Sequence, residues 1–390
     1  MYSGKGTGIL FPANSLSRWW ASRHLRKLTF HHFVPFHKKL TENNMEYSKV
    51  YIDSFGYELA PHVVASEDLE DRLESLYETL HFKKGQLEAL TGVRERRYWY
   101  PGYKISEGAI KAGQKALNAS NVGVGDIGML VYCGVCRDNL EPATACVAAH
   151  GLNLGVNAHI YDVSNACLGM LNGMVNVANA IELGQIKAGM VVSCESAREI
   201  VDLSIDRLLA SNDMETYKKC VATLTGGAGA AAIILTADSV SDSGHRIAGG
   251  IIKNAAEHHE LCRWGPDTGM PASGLHTMET DSVGVLKNGV ELGIKTFNAF
   301  KEELRWPEDK PDKIICHQVG SSHQKTILNS INIPKEKDFT TFEYLGNIGT
   351  VSLPVTAAIA HERDFLLPGE KVGFFGIGSG LNCLMIGVEW

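Results

Sequence analysis

The sequence predicts an α/β protein built from two similar halves, and two observations support this. From Met45 onward, apolar runs typical of strands alternate with runs of helical spacing. After a polar joint at 239–246 the alternation starts again, and in each half an apolar strand ends at a reactive side chain and leads into a helix. This repeat indicates a pseudo-duplication, with an N-terminal half over 45–240 and a C-terminal half over 241–390.

The predicted strands follow one another in order along both halves. The first half has IGMLVYCGV (127–135), HIYDVSNA, AGMVVSCES (188–196) and GAGAAAIILTA. The second half has IAGGIIKNA, KIICHQV (313–319) and a glycine-rich closing hairpin, with a helix near 284–304. The longest uncharged stretch, 372–388, contains five glycines, a serine and an asparagine. It is therefore predicted to form a strand, a turn and a strand, not a membrane span.

Two segments interrupt the alternation, 202–219 and 257–281. We expect them to wall a substrate channel, and the equally weighted alternative is that they are surface loops between elements.

The nine cysteines are scattered, odd in number and mostly set in apolar runs. This usage fits reduced thiols in a cytoplasmic protein. Cys133 and Cys136 form a CxxC, but no second pair accompanies it, so zinc or redox chemistry is disfavoured. His258, His259 and His323 lack metal-ligand spacing, and we assign no metal and no cofactor.

Residues 1–44 differ from the rest of the chain. The first 41 residues hold seven Lys or Arg and no acid, whereas the chain beyond residue 44 has 30 bases against 43 acids. The leader is either a targeting or membrane-surface arm or, as we prefer, upstream sequence preceding a true start at Met45, and we expect it to be disordered. It lacks the apolar core and small-residue cleavage site of a secretory signal. The acidic body disfavours a nucleic-acid partner.

Cys167 is the first candidate for chemistry. It lies in SNACLGM (164–170), where a strand-like run breaks through a small polar turn into an apolar helix. We expect the helix N-terminus to stabilise the nucleophilic thiolate through its free amides and its positive dipole end. The alternative is that Cys167 only fills a gap in the core, because free cysteines are often buried.

Three further candidates have structural alternatives when each is taken alone. His317 follows an apolar strand and would more often be a satisfied structural histidine. Asn347 stands between two glycines, as a turn residue would. Glu141, before Pro142, would usually be a solvated loop carboxylate. A Cys, a His and an Asn in this order nevertheless suggest thioester chemistry, and their joint occurrence overturns the separate interpretations.

Four segments, taken in order, resemble the motifs of thiolase-superfamily condensing enzymes of the ketoacyl-ACP synthase III group: SNACLGM, HQVGSSH, GNIGTVSLP and GIGSGLN. LTGVRERRYW (90–99) and TGGAGAAAIIL (225–235) match the group too, so the resemblance covers roughly 45–390. Within the group, CRDNLEPATA (136–145) is most similar to OleA, the head-to-head acyl-CoA condensing enzymes of olefin biosynthesis. This resemblance implies a homodimer of five-layered αβαβα subunits.

The resemblance also implies roles for individual residues. Cys167 would be the acylated nucleophile, and the backbone amides of Cys167 and Ser379 would hold the oxyanion. His317 and Asn347 would bind the thioester oxygen of the second substrate. Glu141 would act as the base that removes an α-proton in the neighbouring subunit's site. Basic side chains in the RERR segment are candidates for binding the phosphates of CoA, the alternative being a solvated or ion-paired cluster: Arg94, Arg96, Arg97.

The expected reaction is a non-decarboxylative Claisen condensation of two fatty acyl-CoAs to a 2-alkyl-3-ketoacyl product. The alternative is a 3-oxoacyl-ACP synthase III, which joins a short acyl-CoA to malonyl-ACP with loss of CO₂ in fatty acid initiation. Gly320, Ser321 and Ser322 stand where such synthases carry basic residues, which disfavours docking of an acyl carrier protein. A third hypothesis is a non-catalytic homologue that assists other lipid-pathway enzymes.

Overall fold

A computed structural model of the chain describes residues 44–266 and 276–390. The predicted leader, apart from Asn44, and positions 267–275 of the segment 257–281 lie outside the described residues. No helix in the described ranges is long and apolar enough to cross a membrane.

The strands are β1 Asn44–Glu46, β2 Val50–Leu59, β3 His62–Ala65, β4 Glu95–Tyr98, β5 Ile127–Cys133, β6 His159–Val163, β7 Ala188–Ser196, β8 Ala228–Ala237, β9 His245–Asn254, β10 Cys262–Pro266, β11 His276–Thr280, β12 Lys313–Cys316, β13 Lys371–Gly378 and β14 Asn382–Glu389. The α-helices are α1 Ser66–Arg72, α2 Glu74–Leu80, α3 Gln86–Thr91, α4 Ile105–Asn118, α5 Thr144–Gly151, α6 Gly169–Glu182, α7 Arg198–Ser211, α8 Met214–Cys220, α9 Ser282–Leu304, α10 Ser321–Ser330, α11 Phe342–Leu345 and α12 Ser352–Glu362.

The main sheet shows the duplication directly. Its strand order is β12-β13-β14-β9-β2-β8-β7-β5-β6, with β1 paired to β9. In the C-terminal half β12 and β13 are parallel, and β14 and β9 follow in antiparallel order. In the N-terminal half β5, β7, β8 and β2 repeat this pattern, with β6 added at the edge. The two copies join where Tyr51 and Ile52 pair with Arg246 and His245.

Five layers follow from how the helices cover this sheet. One core lies between the halves, where α6 and α12 pack against strands of both. A second core lies under α4 and α5 on the outer face of the N-terminal half. A third lies under α9 and α10 on the outer face of the C-terminal half. Because each sheet half is covered on both faces, its strands are apolar along their whole length, as in β8, where every residue is buried. The predicted αβαβα fold is confirmed.

The segments that interrupt the alternation have regular structure of their own. Most of 202–219 is helical, in α7 and α8. The described part of 257–281 contains most of a 3-10 helix, Ala256–Leu261, followed by the antiparallel pair β10 and β11. The predicted closing hairpin is β13 and β14.

Candidate active site

A cavity of about 990 Å³ lies inside the chain, and Cys167, His317 and Asn347 all contribute to its wall. Its volume is at the upper end of the range for ligand pockets, about 300–1,000 Å³. Most of the remaining wall is apolar, and it includes side chains from both segments that interrupt the alternation, such as Met214 and Met278. These segments therefore wall the cavity, as predicted.

Cys167 occupies the turn between β6 and α6, as predicted. The residue before it, Ala166, has a φ of 44°, in the left-handed region that residues with a Cβ rarely adopt. The turn is closed by the amides of Leu168 and Gly169, which donate to the carbonyls of Asn165 and Ala166. This geometry turns the chain sharply and places Cys167 on the cavity wall.

The expectation that this turn lowers the pKa of Cys167 is contradicted. Burial raises the pKa of the thiol to about 12, and Cys262 and Glu195 raise it further, while a backbone hydrogen bond acts in the opposite direction. The cost of removing a thiolate from water thus exceeds the benefit from the helix end. Burial therefore favours the thiol over the thiolate.

His317 follows β12 directly, and its amide donates to the Phe375 carbonyl at 2.9 Å. Burial lowers the pKa of the imidazole to about 4, with a smaller contribution from His323. The ring is therefore neutral at physiological pH and carries one N–H. Its Nδ1 finds no partner in the described part of the chain. A neutral imidazole on a cavity wall can donate one hydrogen bond to a ligand.

Asn347 is held by its own backbone and by its neighbour. Its amide donates to Thr225, its carbonyl accepts from Gly227, and its Oδ1 accepts from the Gly349 amide at 3.1 Å. Oδ1 is thus engaged by the Gly349 amide, and the two Nδ2 hydrogens are the donors that the side chain can offer to a ligand. The glycines in the segment 225–229 allow these backbone contacts, since a Cβ at Gly227 would lie 2.2 Å from the Leu345 carbonyl oxygen.

The GIGSGLN turn lies against the nucleophile. A Cβ on Gly378 would lie 3.3 Å from the Cys167 amide nitrogen, so a larger residue would push the two backbones apart by a few tenths of an ångström. Ser379, the next residue, lines the cavity. The structure therefore brings together both segments whose amides are expected to form an oxyanion hole.

Glu141 lies elsewhere in the subunit. It is exposed, it is absent from the cavity wall, and it pairs with no residue in 44–266 or 276–390. It lies in the loop between β5 and α5, three residues before α5 and next to Leu140, which is 87% exposed. The cavity of one subunit thus contains three of the four predicted catalytic side chains.

The three arginines of the RERR segment lie in different environments. Arg96 is fully buried and donates to Ser66 Oγ at 3.0 Å and to the carbonyl of Leu224 at 3.1 Å. This burial contradicts a role in binding CoA phosphates, because the guanidinium cannot reach solvent. Arg97 is half-buried and donates to the Ala60 carbonyl. Arg94 is exposed.

Several polar residues around the site were missed by sequence reasoning. Thr350 Oγ1 accepts the Met170 amide in the first turn of α6. Gln318 bridges the Cys316 carbonyl and the Thr341 amide and so fixes the turn after His317. Thr350 and Gln318 stand within the recognised motifs, which was the only signal for them.

The CxxC does not form a joint site. The Cys133 sulfur faces Val191 and the position of Gly173, whereas the Cys136 sulfur contacts the Ser196 backbone. All nine cysteines lie in the described ranges and all are free thiols. Within the same ranges no group of three or more His, Cys, Asp or Glu could hold a metal ion.

Comparison with known proteins agrees with this architecture. Residues 161–253 match the family model "3-Oxoacyl-[acyl-carrier-protein (ACP)] synthase III", and residues 302–390 match the model of its C-terminal part. An acyl-CoA:acyl-CoA alkyltransferase of Shewanella oneidensis is 52% identical over 89% of this chain and 100% of its own length. The protein of that name from Xanthomonas campestris is 34% identical over the same shares.

Crystal structures of Xanthomonas campestris OleA share the fold. One superposes with a TM-score of 0.83 at 33% identity, covering 88% of this chain and 98% of that one. Another, a cysteine-to-serine variant with bound lauric acid and lauroyl-CoA, gives the same score and identity, covering 88% of this chain and 100% of its own. The chain therefore belongs to the OleA-type condensing enzymes of the 3-oxoacyl-[acyl-carrier-protein] synthase III family.

Proposed function

We propose that the enzyme condenses two fatty acyl-CoAs head to head, through an acyl-enzyme on Cys167, to a 2-alkyl-3-ketoacyl product. The observation that carries the proposal is the meeting of Cys167, His317 and Asn347 on one large, mostly apolar cavity. The names of two relatives, acyl-CoA:acyl-CoA alkyltransferase, support acyl-CoA as both substrates.

In the first half-reaction the Cys167 sulfur attacks the thioester carbonyl carbon. The carbon–sulfur bond to CoA breaks, and CoA leaves as a thiol with the proton that Cys167 gives up. Dividing the reaction at an acyl-enzyme replaces one difficult step by two easier ones. The amides of Cys167 and Ser379 are the proposed donors to the oxyanion, supported by the close approach of Gly378 to the nucleophile.

In the second half-reaction a second acyl-CoA must lose an α-proton. His317 and Asn347 are the proposed donors to its thioester oxygen, since the neutral imidazole keeps one N–H and the Asn347 Nδ2 carries two hydrogens. The carbanion attacks the acyl carbonyl carbon, a carbon–carbon bond forms, and the bond to Cys167 breaks. The α-proton taken up by the base then passes to the Cys167 thiolate, which restores the thiol.

The base in this proposal is Glu141 of the partner subunit in a homodimer. Glu141 is exposed and outside its own cavity, so it is available to another subunit. The neighbouring surface suits an interface: Leu140 and Val156 are 87% and 100% exposed, and β6 is the last strand of the main sheet. A carboxylate base is needed only when no carboxyl group leaves, so the 3-oxoacyl-ACP synthase III reaction is less favoured.

Arg94 remains a proposed contact for the CoA phosphates, because it alone among the three predicted arginines is exposed. A cytoplasmic location is also proposed, and it is supported by the nine free thiols.

The test uses the full chain with a long-chain acyl-CoA as the sole substrate, followed by intact-mass and product analysis. We expect CoA release and a two-chain β-keto product. Cys167→Ala should lose both, whereas Glu141→Ala should still be acylated on Cys167 but form no product. Acylation without product, followed by turnover with CO₂ release only when malonyl-ACP is added, would instead establish the initiating synthase. Failure of Cys167 to be acylated would favour the non-catalytic homologue.

A further inference from the structure

Glu195 is a buried carboxylate that the proposed chemistry does not use. It stands near the end of β7, is 5% exposed, and lies outside the cavity wall. No cation in the described ranges contributes to its electrostatics, and burial raises the pKa of the carboxyl. Burying an unpaired carboxylate is costly, so the contacts that it makes must offset that cost.

Its partners are two consecutive backbone amides. Glu195 Oε1 accepts from the Val135 amide at 3.0 Å, and Oε2 accepts from the Cys136 amide at 3.2 Å. A carboxylate can accept with both oxygens at once, whereas a glutamine would turn one N–H toward another. The two amides lie near the start of the loop between β5 and α5, and this loop carries Glu141.

The loop is fixed at several other points. Tyr132 Oη donates to the Cys136 carbonyl at 2.6 Å, and Asp138 accepts from the Ser106 amide at 3.3 Å. At the far end Asp162 accepts from the amides of Thr144 and Ala145 at 2.9 and 2.8 Å. These contacts bracket positions 139–143, which include Glu141. Its placement therefore depends on how the buried ends are held.

We propose that Glu195 is a positioning residue for Glu141. By holding the amides of Val135 and Cys136, it fixes the base of the loop that presents Glu141 to the partner subunit's cavity. The inference rests on the proposed function, because it needs Glu141 to act across a homodimer. It predicts that Glu195 serves the other subunit's reaction and not the one in its own subunit.

Two observations define the competing explanation. The charge of Glu195 raises the pKa of the Cys167 thiol in its own subunit. A Cβ on Gly349 would lie 3.2 Å from Glu195 Cγ, so the side chain also borders the segment that carries Asn347. If Glu195 acted through that segment, it would serve the cavity of its own subunit. The two explanations therefore differ in which subunit is affected.

The first measurement uses Glu195→Gln homodimers of the full chain and a long-chain acyl-CoA. We expect acylation of Cys167, measured by intact mass, to proceed at or above the wild-type rate, because loss of the Glu195 charge removes one contribution that raises the pKa of the thiol. Condensation and exchange of the substrate α-proton with D₂O should fall by about 10-fold to 100-fold, because small misplacements of a reacting group cost that much. Glu195→Asp, which keeps the charge but shortens the reach, should recover part of this loss.

The deciding measurement uses heterodimers, prepared with a different affinity tag on each subunit. A Glu195→Gln subunit is paired with a Cys167→Ala subunit. The one remaining nucleophile, Cys167, is in the Glu195→Gln subunit. The Glu141 that reaches it comes from the Cys167→Ala subunit, where Glu195 is unchanged. We expect condensation to return to half the wild-type rate, that of one working site per dimer. Recovery would also show that the Glu195→Gln subunit folds.

The control heterodimer pairs Glu141→Ala with Cys167→Ala. It should also regain one site, since the intact nucleophile again receives an intact glutamate. If the control recovers and the Glu195→Gln pair does not, Glu195 acts within its own subunit and the inference is wrong. If the control does not recover, Glu141 does not act in the partner subunit's cavity. Both the proposed role of Glu141 and the proposed role of Glu195 are then wrong.

Discussion

Thr350 Oγ1 accepts a hydrogen bond from the Met170 amide at 2.7 Å, across 180 residues of sequence. Met170 is in the first turn of α6, three residues after Cys167, and Thr350 follows the Asn347 turn. The bond therefore ties the nucleophile of one half to the asparagine of the other. It also satisfies one of the amides that a helix leaves unpaired at its start.

Thr350→Val keeps the shape of the side chain but removes this acceptor. Both residues are buried, so the Met170 amide would lose its partner without gaining water. We expect the free energy of unfolding to fall by about 1–3 kcal/mol. Denaturant titration measures this, with Thr350→Ser as the control that retains the hydroxyl. Equal stability of the Val and Ser variants would contradict the prediction.

Asn347→Asp tests the donor that faces the cavity. The aspartate can still accept from the Gly349 amide, so the turn is kept, but an acceptor replaces the Nδ2 hydrogens. We expect condensation to fall by about 10²–10³. Acylation of Cys167 should continue, since that step uses other donors.

Rapid-quench mass spectrometry separates the two steps for this variant. If the acyl-enzyme also fails to form, Asn347 acts earlier than proposed. Asn347→Ala is the matched comparison, since it lacks both the donor and the new charge.

The elements and three site residues could be predicted because each signal is local. Cys167 and His317 each stand at the end of an apolar strand and just before a helix, a pattern contained in a few adjacent residues. Glu195 had no such signal, since its partners Val135 and Cys136 are about 60 residues away. Its role depends on a contact that exists only after β5 and β7 pair.

The arginine cluster shows a second limit. In β4 the side chains of successive residues point to opposite faces, so Glu95 and Arg97 are half-exposed while Arg96 and Tyr98 are buried. The sequence ERRY does not say which face is covered. Burial of Arg96 requires α1 and the turn at Leu224 to lie over that face.

Arg96 and Arg94 should therefore respond differently to truncation. Arg96→Ala leaves Ser66 and the Leu224 carbonyl without a donor, and we expect the melting temperature to drop by several degrees. Arg94→Ala should leave stability within about 0.5 kcal/mol, as is usual at the surface, and raise the KM for acyl-CoA. Thermal scans and initial rates measure the two effects. A raised KM for a stable Arg96→Ala protein would contradict the structural role.

Two glycines of α9, Gly289 and Gly293, line the cavity. A Cβ at Gly293 would lie 2.9 Å from Ile327 Cδ1, so a larger side chain must take space from the cavity or push Ile327 aside. We expect Gly293→Val to shift the preferred substrate toward shorter acyl-CoAs. Competition between acyl-CoAs of different length, read by product mass, measures the shift.

Asn298→Val is the control for that substitution. Asn298 is exposed on the same helix and outside the cavity wall, so it tests for a general effect of valine on α9. An unchanged length preference in Gly293→Val would show that this part of the cavity does not hold the acyl chain.

His317 should make stability depend on pH. Its pKa is lowered from 6.5 to about 4 by burial, so the unfolded chain takes up this proton before the folded one. The stability that comes from the neutral ring is fully present above pH 6.5 and is lost as pH falls toward 4, by at most about 1.4 kcal/mol per pH unit. Asp338 acts in the opposite sense over an overlapping window: burial raises its pKa to about 6, so its contribution is lost as pH rises from 3.8 through 6.

Comparing His317→Asn with the wild type separates the two effects, because Asp338 is common to both. Denaturant titrations from pH 4.5 to pH 7.5 should show the wild type losing stability relative to the variant as pH falls. The expected difference has one sign only, since a depressed histidine pKa destabilises the folded state on the acid side. Parallel stability curves would mean that the His317 imidazole is solvated, and that water in the cavity removes the burial that keeps it neutral.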